Sequence, residues 1–418
     1  MGPGLLATVK STADRTARWA AIALGFSIPL SVALDNVLLV LVVAGWLASG
    51  AWRGKRDAIR GNSVALAALA LFGLLLAGTL YGDRNPGDAR ATLLKYVDLL
   101  WIPVLIWMFR DATTRMRALY ALAISLAIVM VASYLIMLDV VPKTAFFSGD
   151  ASYPVVFKTR QTHGLLMAFG AFLYVHLALV AGTARTRVLW LVLAVLAVAN
   201  GTLVVQGATG YLVLGMLALY FGYARRGWPG LAAATGIAAV LTTALVVVPG
   251  PFQQRVAQIR SQASHWQPGR PDGQSSVATR LEFYRLTITI VQEHPLFGTG
   301  TGSFPKAYSD QMKGQSALPT RNPHSEYLHL MVQLGLAGPV VLLYLFWTQW
   351  RLAPRLATPL EWHLARGLVL AMAVGCLFNS WLLDHTEGLF YAWLTGLLFA
   401  ELKSDIVAGR AEQVSRAD

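Results

Sequence analysis

Long apolar runs separated by short polar breaks dominate this chain. A helix that crosses a bilayer needs about 17–25 mostly apolar residues. Twelve runs approach that length: 18–34, 36–52, 63–81, 92–109, 117–138, 162–182, 187–205, 208–223, 229–249, 327–350, 362–383 and 386–402. The first two part only at Asp35-Asn36 and the last two only at Asp384-His385, so each pair reads as a tight helical hairpin. The seventh and eighth part at Gln206-Gly207, and Pro29 and Pro103 fall where a proline kinks a helix. The predicted fold is all-α, a polytopic membrane protein with about 12 transmembrane helices. Residues 1–249 hold nine of them, 250–326 form a large external helical loop, 327–402 hold the last three, and 403–418 form a tail.

Composition agrees. Of 418 residues, 56% are hydrophobic and 13% charged, with a mean hydropathy of +0.54; a soluble domain carries about 25% charged residues. The net charge of +13 would suggest nucleic acid if it lay in one patch. It is spread instead. With the N-terminus inside, every even-numbered connection is basic, through residues such as Arg53, Lys55, Arg56, Arg110, Arg117, Arg225 and Arg351, while the external connections come close to neutral. Lysine and arginine gather on the cytoplasmic side of membrane proteins, so the charge encodes topology with both termini cytoplasmic, and no nucleic-acid partner is expected. A basic start, an apolar run and Ser31-Val32-Ala33 imitate a leader-cleavage site; the stretch reads as an uncleaved first helix. The single cysteine, Cys376, lies within an apolar run and allows neither an intrachain disulfide nor a cysteine metal site.

Two external connections, 139–161 and 250–326, are long, and long loops on one face of a bundle are where function concentrates. Within the second, 251–266 has helical periodicity and 267–275 is a turn-rich linker. A further helix follows, with Ser275, Ser276 or Thr279 as its cap and Pro295 as its end. Leu281, Tyr284, Ile288 and Val291 recur on it at helical spacing, and Arg280 and Tyr284, four apart, share a face. Next comes LFGTGTGSF, a glycine-rich loop that either brings N–H groups to a phosphate or simply turns. A short helix over 305–312 and a polar linker lead to Arg321 and NPHSEYLHLMVQLG, where His324 stands in front of an apolar run.

The order of motifs in this half is distinctive: Arg280-x-x-x-Tyr284-Arg285, then His294-Pro295-Leu296-Phe297-Gly298-x-Gly300, then His324-Ser325-x-x-Leu328, then Leu334-Gly335-Leu336-x-Gly338. It resembles the O-antigen ligase and polymerase superfamily of bacterial membrane glycosyltransferases. Upstream, Lys158-Thr159-Arg160-Gln161-Thr162-His163-Gly164 is similar to the arginine-led helix start of that family. The resemblance implies a GT-C-like fold in the bacterial inner membrane with a periplasmic active site. It implies transfer of a glycan from undecaprenyl pyrophosphate to an acceptor hydroxyl, which in a ligase belongs to lipid A–core. It implies neither a cofactor nor a metal, and membrane lipids as the surroundings.

The residues suit that chemistry. A departing pyrophosphate needs its charge held, and arginine's fork matches phosphate oxygens. An attacking hydroxyl needs a base or orienter, and histidine titrates near working pH. Arg160 and Arg280 are the expected pyrophosphate ligands, assisted by Arg285 or Arg321, with Lys158 and Tyr284 nearby. His324, at a helix start where the dipole favours neutral imidazole, is the expected base or orienter; Glu326 either orients it or faces elsewhere, and His163 is the rival base. Each has a plain alternative: a solvated helix charge for Arg280, an interfacial lipid anchor for Arg160, and a helix cap at Asn322 or Ser325 with His324 a bystander. His329, five residues past His324, suits a shared metal poorly and is expected to pack. Lys95 and Asp98 are expected to pair, and Asp384, His385 and Glu387 either line an acceptor entrance or form a wet turn. A transporter of polyprenyl-linked sugars would instead place its ionisable groups at midplane in two related halves, and no repeat is visible.

Overall fold

The computed structural model describes residues 3–82, 85–141, 149–247, 249–269, 275–315 and 318–402; the predicted tail, 403–418, and most of the 267–275 linker lie outside them. Every regular element among the described residues is helical. In chain order they are α1 (Pro3–Ser27), α2 (Val32–Ala48), α3 (Trp52–Arg60), α4 (Ser63–Ala77), α5 (Pro86–Lys95), α6 (Asp98–Met108), α7 (Ala112–Met137), α8 (Arg160–Leu179) and α9 (Ala184–Ala199). Then follow α10 (Ala208–Val247), α11 (Pro251–Ser264), α12 (Ser276–Glu293), α13 (Phe304–Gln311), α14 (Glu326–Leu334), α15 (Ala337–Leu352), α16 (Pro359–Phe378) and α17 (His385–Leu398).

Among the described residues, six helical stretches are long and apolar enough to cross a membrane: 63–80, 86–108, 112–137, 160–179, 184–204 and 359–378. The bent pair α2 and α3, at 114°, would make a seventh. The other predicted spans are also helical: α1 runs unbroken over 25 residues and ends at Ser27, before the predicted end of the first span. α17 has 14 residues. The two runs 208–223 and 229–249 are two helices: the backbone is non-helical at Arg226 and Gly227, just before Pro229, whose missing N–H cannot bond to the preceding turn, and Gly222 comes back into contact with Gly230 and Ala234.

The run 327–350, expected as one helix, breaks between α14 and α15. The reason is a close approach. Gly335 takes φ +61, and a Cβ there would lie 2.2 Å from the Leu296 carbonyl oxygen; the Leu336 N–H donates to the Pro295 carbonyl at 2.9 Å. The loop after α12 therefore inserts into the α14–α15 break. Three glycines fix it there: Gly298, Gly300 and Gly302 all have positive φ, a conformation that costs a side-chain-bearing residue about 1 kcal/mol or more.

Helix α12 starts at Ser275, whose hydroxyl accepts from the Ala278 N–H. Its buried face is Ala278, Phe283, Leu286 and Ile290 with Glu282 and Thr287. The expected stripe of Leu281, Tyr284, Ile288 and Val291 is rotated off this face, and Ile288 is exposed. The packing partner decides the face: Phe283, Leu286 and Ile290 join Phe304 and Tyr308 of α13 and Val332 of α14 in a small core of their own. The main core runs through the bundle, with α17 buried along its length from Thr386 to Leu398.

Gly300→Ala tests the inserted loop. A Cβ at Gly300 meets the Tyr81 carbonyl oxygen at 2.3 Å, whereas at Gly314, also at positive φ, nothing lies within 4 Å. Gly314→Ala should cost about 1 kcal/mol from backbone conformation alone, and Gly300→Ala clearly more. The check is thermal unfolding of both variants in detergent; equal losses would show that the loop is not tightly held.

Candidate functional site

Two non-helical stretches meet on one face of the bundle: the turn 322–325 before α14 and the segment 379–384 between α16 and α17. His324 lies in the first and has φ +58, an unusual conformation for a residue with a side chain. Its N–H donates to Asn322 Oδ1 at 2.8 Å. That same oxygen accepts the Ser380 hydroxyl at 2.7 Å. The His324 carbonyl accepts the Tyr284 hydroxyl at 3.0 Å, and its ring lies parallel to Phe283 with centroids 5.9 Å apart. Helix α12 thus supplies two consecutive aromatic residues, one to the ring and one to the backbone.

Ser325 is the N-cap of α14, its hydroxyl accepting from Leu328, so His324 stands one residue outside the helix. Burial pushes its imidazole pKa down to about 4, and the nearby Arg280 charge adds to that. Burial and a cation, and not the helix dipole, are what favour the neutral ring.

Glu326 faces elsewhere. It is buried, accepts the Tyr96 hydroxyl, and accepts the Leu382 N–H at 2.9 Å. It ties α14 to the 379–384 segment and so positions the turn without touching the imidazole. Burial raises the Tyr284 hydroxyl pKa, which keeps that group a donor.

Arg280 lies one turn before Tyr284 and reaches Asn379 Oδ1 at 3.5 Å. Asn379 Nδ2 donates to Thr209 Oγ1 at 3.2 Å, at the start of α10. Arg160 opens α8, lies over the Tyr153 ring at 4.6 Å with Nε donating to its hydroxyl at 3.2 Å, and runs its stem past Gly207. Arg160 and Arg280 therefore flank the same place, the N-terminus of α10, where unpaired N–H groups add positive potential. The break at Gln206-Gly207 is one wall of a cationic site. Asn379, Thr209 and the α10 N-terminus escaped sequence reasoning because hydropathy marks them only as a turn and helix ends.

The other expected site residues are placed differently. Arg285 pairs with buried Glu282 at 2.6 Å and with Gln315, within the external segment's own packing. Arg321 pairs with Asp88, at the start of α5. Lys158 donates to Thr386 Oγ1 at 3.1 Å; burial lowers its pKa against the opposing pull of Asp35 and Glu387. The His163 ring is 2% exposed and bonded to Asn200 Oδ1 at 2.7 Å, closed off from any substrate. His329 packs against Phe304 as expected. Lys95 is exposed and does not pair with Asp98, whose carboxylate lies against Gly388.

The glycine loop turns out to be a turn. Its N–H groups are spent on protein: Thr299 on the Val332 carbonyl, Gly300 on the Gln333 carbonyl, Thr301 on the Gly78 carbonyl, and Gly302 on Gln333 Oε1, all at 2.7–2.9 Å. None is left to cradle a phosphate. Among the described residues, no cluster of three or more His, Cys, Asp or Glu is arranged to hold a metal.

The fold defines an all-helical membrane protein that places Arg160 and Arg280 near the starts of α8 and α12 and His324 just before α14. Residues 191–343 match the family model described as O-antigen ligase, which supports membership of the O-antigen ligase and polymerase superfamily. The matched stretch contains Arg280, Tyr284, Arg285, Arg321 and His324 but not Arg160. No curated protein matches the chain.

The causes of the His324 shift can be separated. Arg280→Ala removes a cation that disfavours imidazolium, so the His324 pKa should rise from about 4 toward the ordinary value. Histidine NMR of the protein in detergent reads this directly. A fall, or no change, would mean that Arg280 does not face the ring.

Proposed function

We propose that this protein is the ligase that moves a glycan from undecaprenyl pyrophosphate to a sugar hydroxyl of lipid A–core, on the periplasmic face of the bacterial inner membrane. The observation that carries the reading is a neutral His324, held at positive φ between Asn322 and Tyr284, beside an arginine pair at a helix N-terminus. In this reading the twelve helical runs all cross the membrane in a GT-C-like arrangement, with both termini cytoplasmic and 250–326 as the periplasmic domain.

The roles follow from the positions. Arg160, Arg280 and the α10 N-terminus hold the pyrophosphate. The bond between the sugar's anomeric carbon and the phosphate oxygen breaks, and the negative charge that develops on that oxygen meets cations already in place. His324 accepts the proton of the acceptor hydroxyl as the new glycosidic bond forms, and passes it to solvent or to the departing pyrophosphate. Tyr284 and Glu326 hold the turn on which His324 sits. Ionisable groups gathered at one face, and not at midplane, support an enzyme over a transporter.

Complementation of a ligase-deficient strain tests the reading. The wild-type gene should restore a lipopolysaccharide ladder and His324→Ala should leave naked core; normal O-antigen attachment by the variant would remove His324 from the chemistry. In a purified assay the variant should lose at least about 100-fold in rate. Restoration of long chains only in a strain that makes core capped by a single unit would assign a polymerase instead. Activity should persist in EDTA, and a loss reversed by a divalent ion would overturn the metal-free mechanism.

A further inference from the structure

A groove of about 630 Å³ runs along the bundle between α4 and the α5–α6 pair. Phe72, Leu93, Leu94 and Val97 form its walls, and Pro86 and Arg90 stand at its mouth, where α4 ends and α5 begins. Leu94 is 59% exposed. Arg90 is also exposed, and among the described residues it has no hydrogen bond or ion pair. An apolar trough with one free cation at its polar end has the chemistry of a seat for a phosphorylated lipid.

Its place relative to His324 identifies which lipid. Asp88, two residues before Arg90, pairs with Arg321, three residues before His324. Ala89 backs onto Gly302 of the inserted loop. Arg160 and Arg280 reach the site from another flank, through Gly207, Thr209 and Asn379. The turn that carries His324 is therefore approached along two separate routes, one cationic, the other apolar and open sideways. Transfer between two lipid-borne substrates needs two lateral approaches.

We propose that the α4–α5 groove seats acyl chains of the acceptor, a phosphorylated and multiply acylated glycolipid such as lipid A, with Arg90 on one of its phosphates. This rests on the transferase reading above for the identity of the acceptor. The donor's pyrophosphate is then held on the far flank, and the two lipids meet only at His324.

The test places a photoreactive benzoylphenylalanine at Leu94 and irradiates the full-length protein in inner-membrane vesicles that contain both lipids. An adduct carrying lipid A–core is expected, reduced at least about tenfold by Arg90→Glu. Adducts with glycerophospholipid or with the polyprenyl donor alone would overturn the proposal. In a purified assay, Arg90→Glu should raise KM for lipid A–core while leaving KM for the donor unchanged. Arg90→Gln gives the same reading if the glutamate variant folds poorly. Unchanged kinetics with normal transfer would sink the groove and leave the ligase reading standing. Capture of lipid A–core at Leu94 without any transfer would do the reverse.

Discussion

Non-helical backbone at the edge of a bilayer must find its hydrogen bonds in protein, because lipid offers none. In this chain two such stretches satisfy each other. The 322–325 turn and the 379–384 segment are joined by Asn322, Ser380, Asn379 and the buried Glu326. A third broken stretch, the loop 296–302, spends its N–H groups on α4 and α14. The site exists because these breaks are paired with one another. His324 can occupy a strained conformation only while its neighbours on both sides are held.

That constraint also sorts the cations. Arg285 and Arg321 carry the same charge as Arg160 and Arg280, but each has a carboxylate partner, Glu282 or Asp88. Withdrawing Arg285 would strand a Glu282 side chain that is 1% exposed, and an unpaired buried charge costs several kcal/mol. Arg285 is therefore committed to the external segment's own core. Arg160 rests on an aromatic ring and Arg280 on a neutral amide. Neither the tyrosine ring nor the asparagine amide neutralises a guanidinium charge.

Much of this was legible in the sequence. The helices, the caps at Ser275 and Ser325, the packing role of His329 and the place of His324 just outside a helix start follow from local rules: periodicity, capping and the cost of a polar group in front of an apolar run. The failures share a cause. The break at Gly335 depends on a loop forty residues earlier in the chain passing close by. The rotated face of α12 depends on Phe304 and Tyr308. The Arg285–Glu282 pair sits at ordinary i, i+3 spacing, yet only the burial of Glu282 makes it decisive. The glycine loop looked able to bind phosphate until its N–H groups could be traced to carbonyls on other helices. Each depends on packing between segments far apart in the chain, and hydropathy along one chain carries no information about which turn meets which.

The electrostatics of the pair Arg280 and His324 give the site a direction. Burial is the larger cause of the depressed imidazole pKa, and the arginine charge is the second. At about 4 the ring is neutral but a weak base at neutral pH. In the proposed mechanism, a pyrophosphate seated on Arg280 offsets the second cause, so a bound donor would make His324 more basic when a hydroxyl is to be deprotonated. The coupling runs both ways. A proton taken up by His324 adds positive charge beside the arginines at the moment the departing pyrophosphate gains negative charge. In the proposed mechanism, bond making at the acceptor and bond breaking at the donor are linked through the half-buried His324 ring.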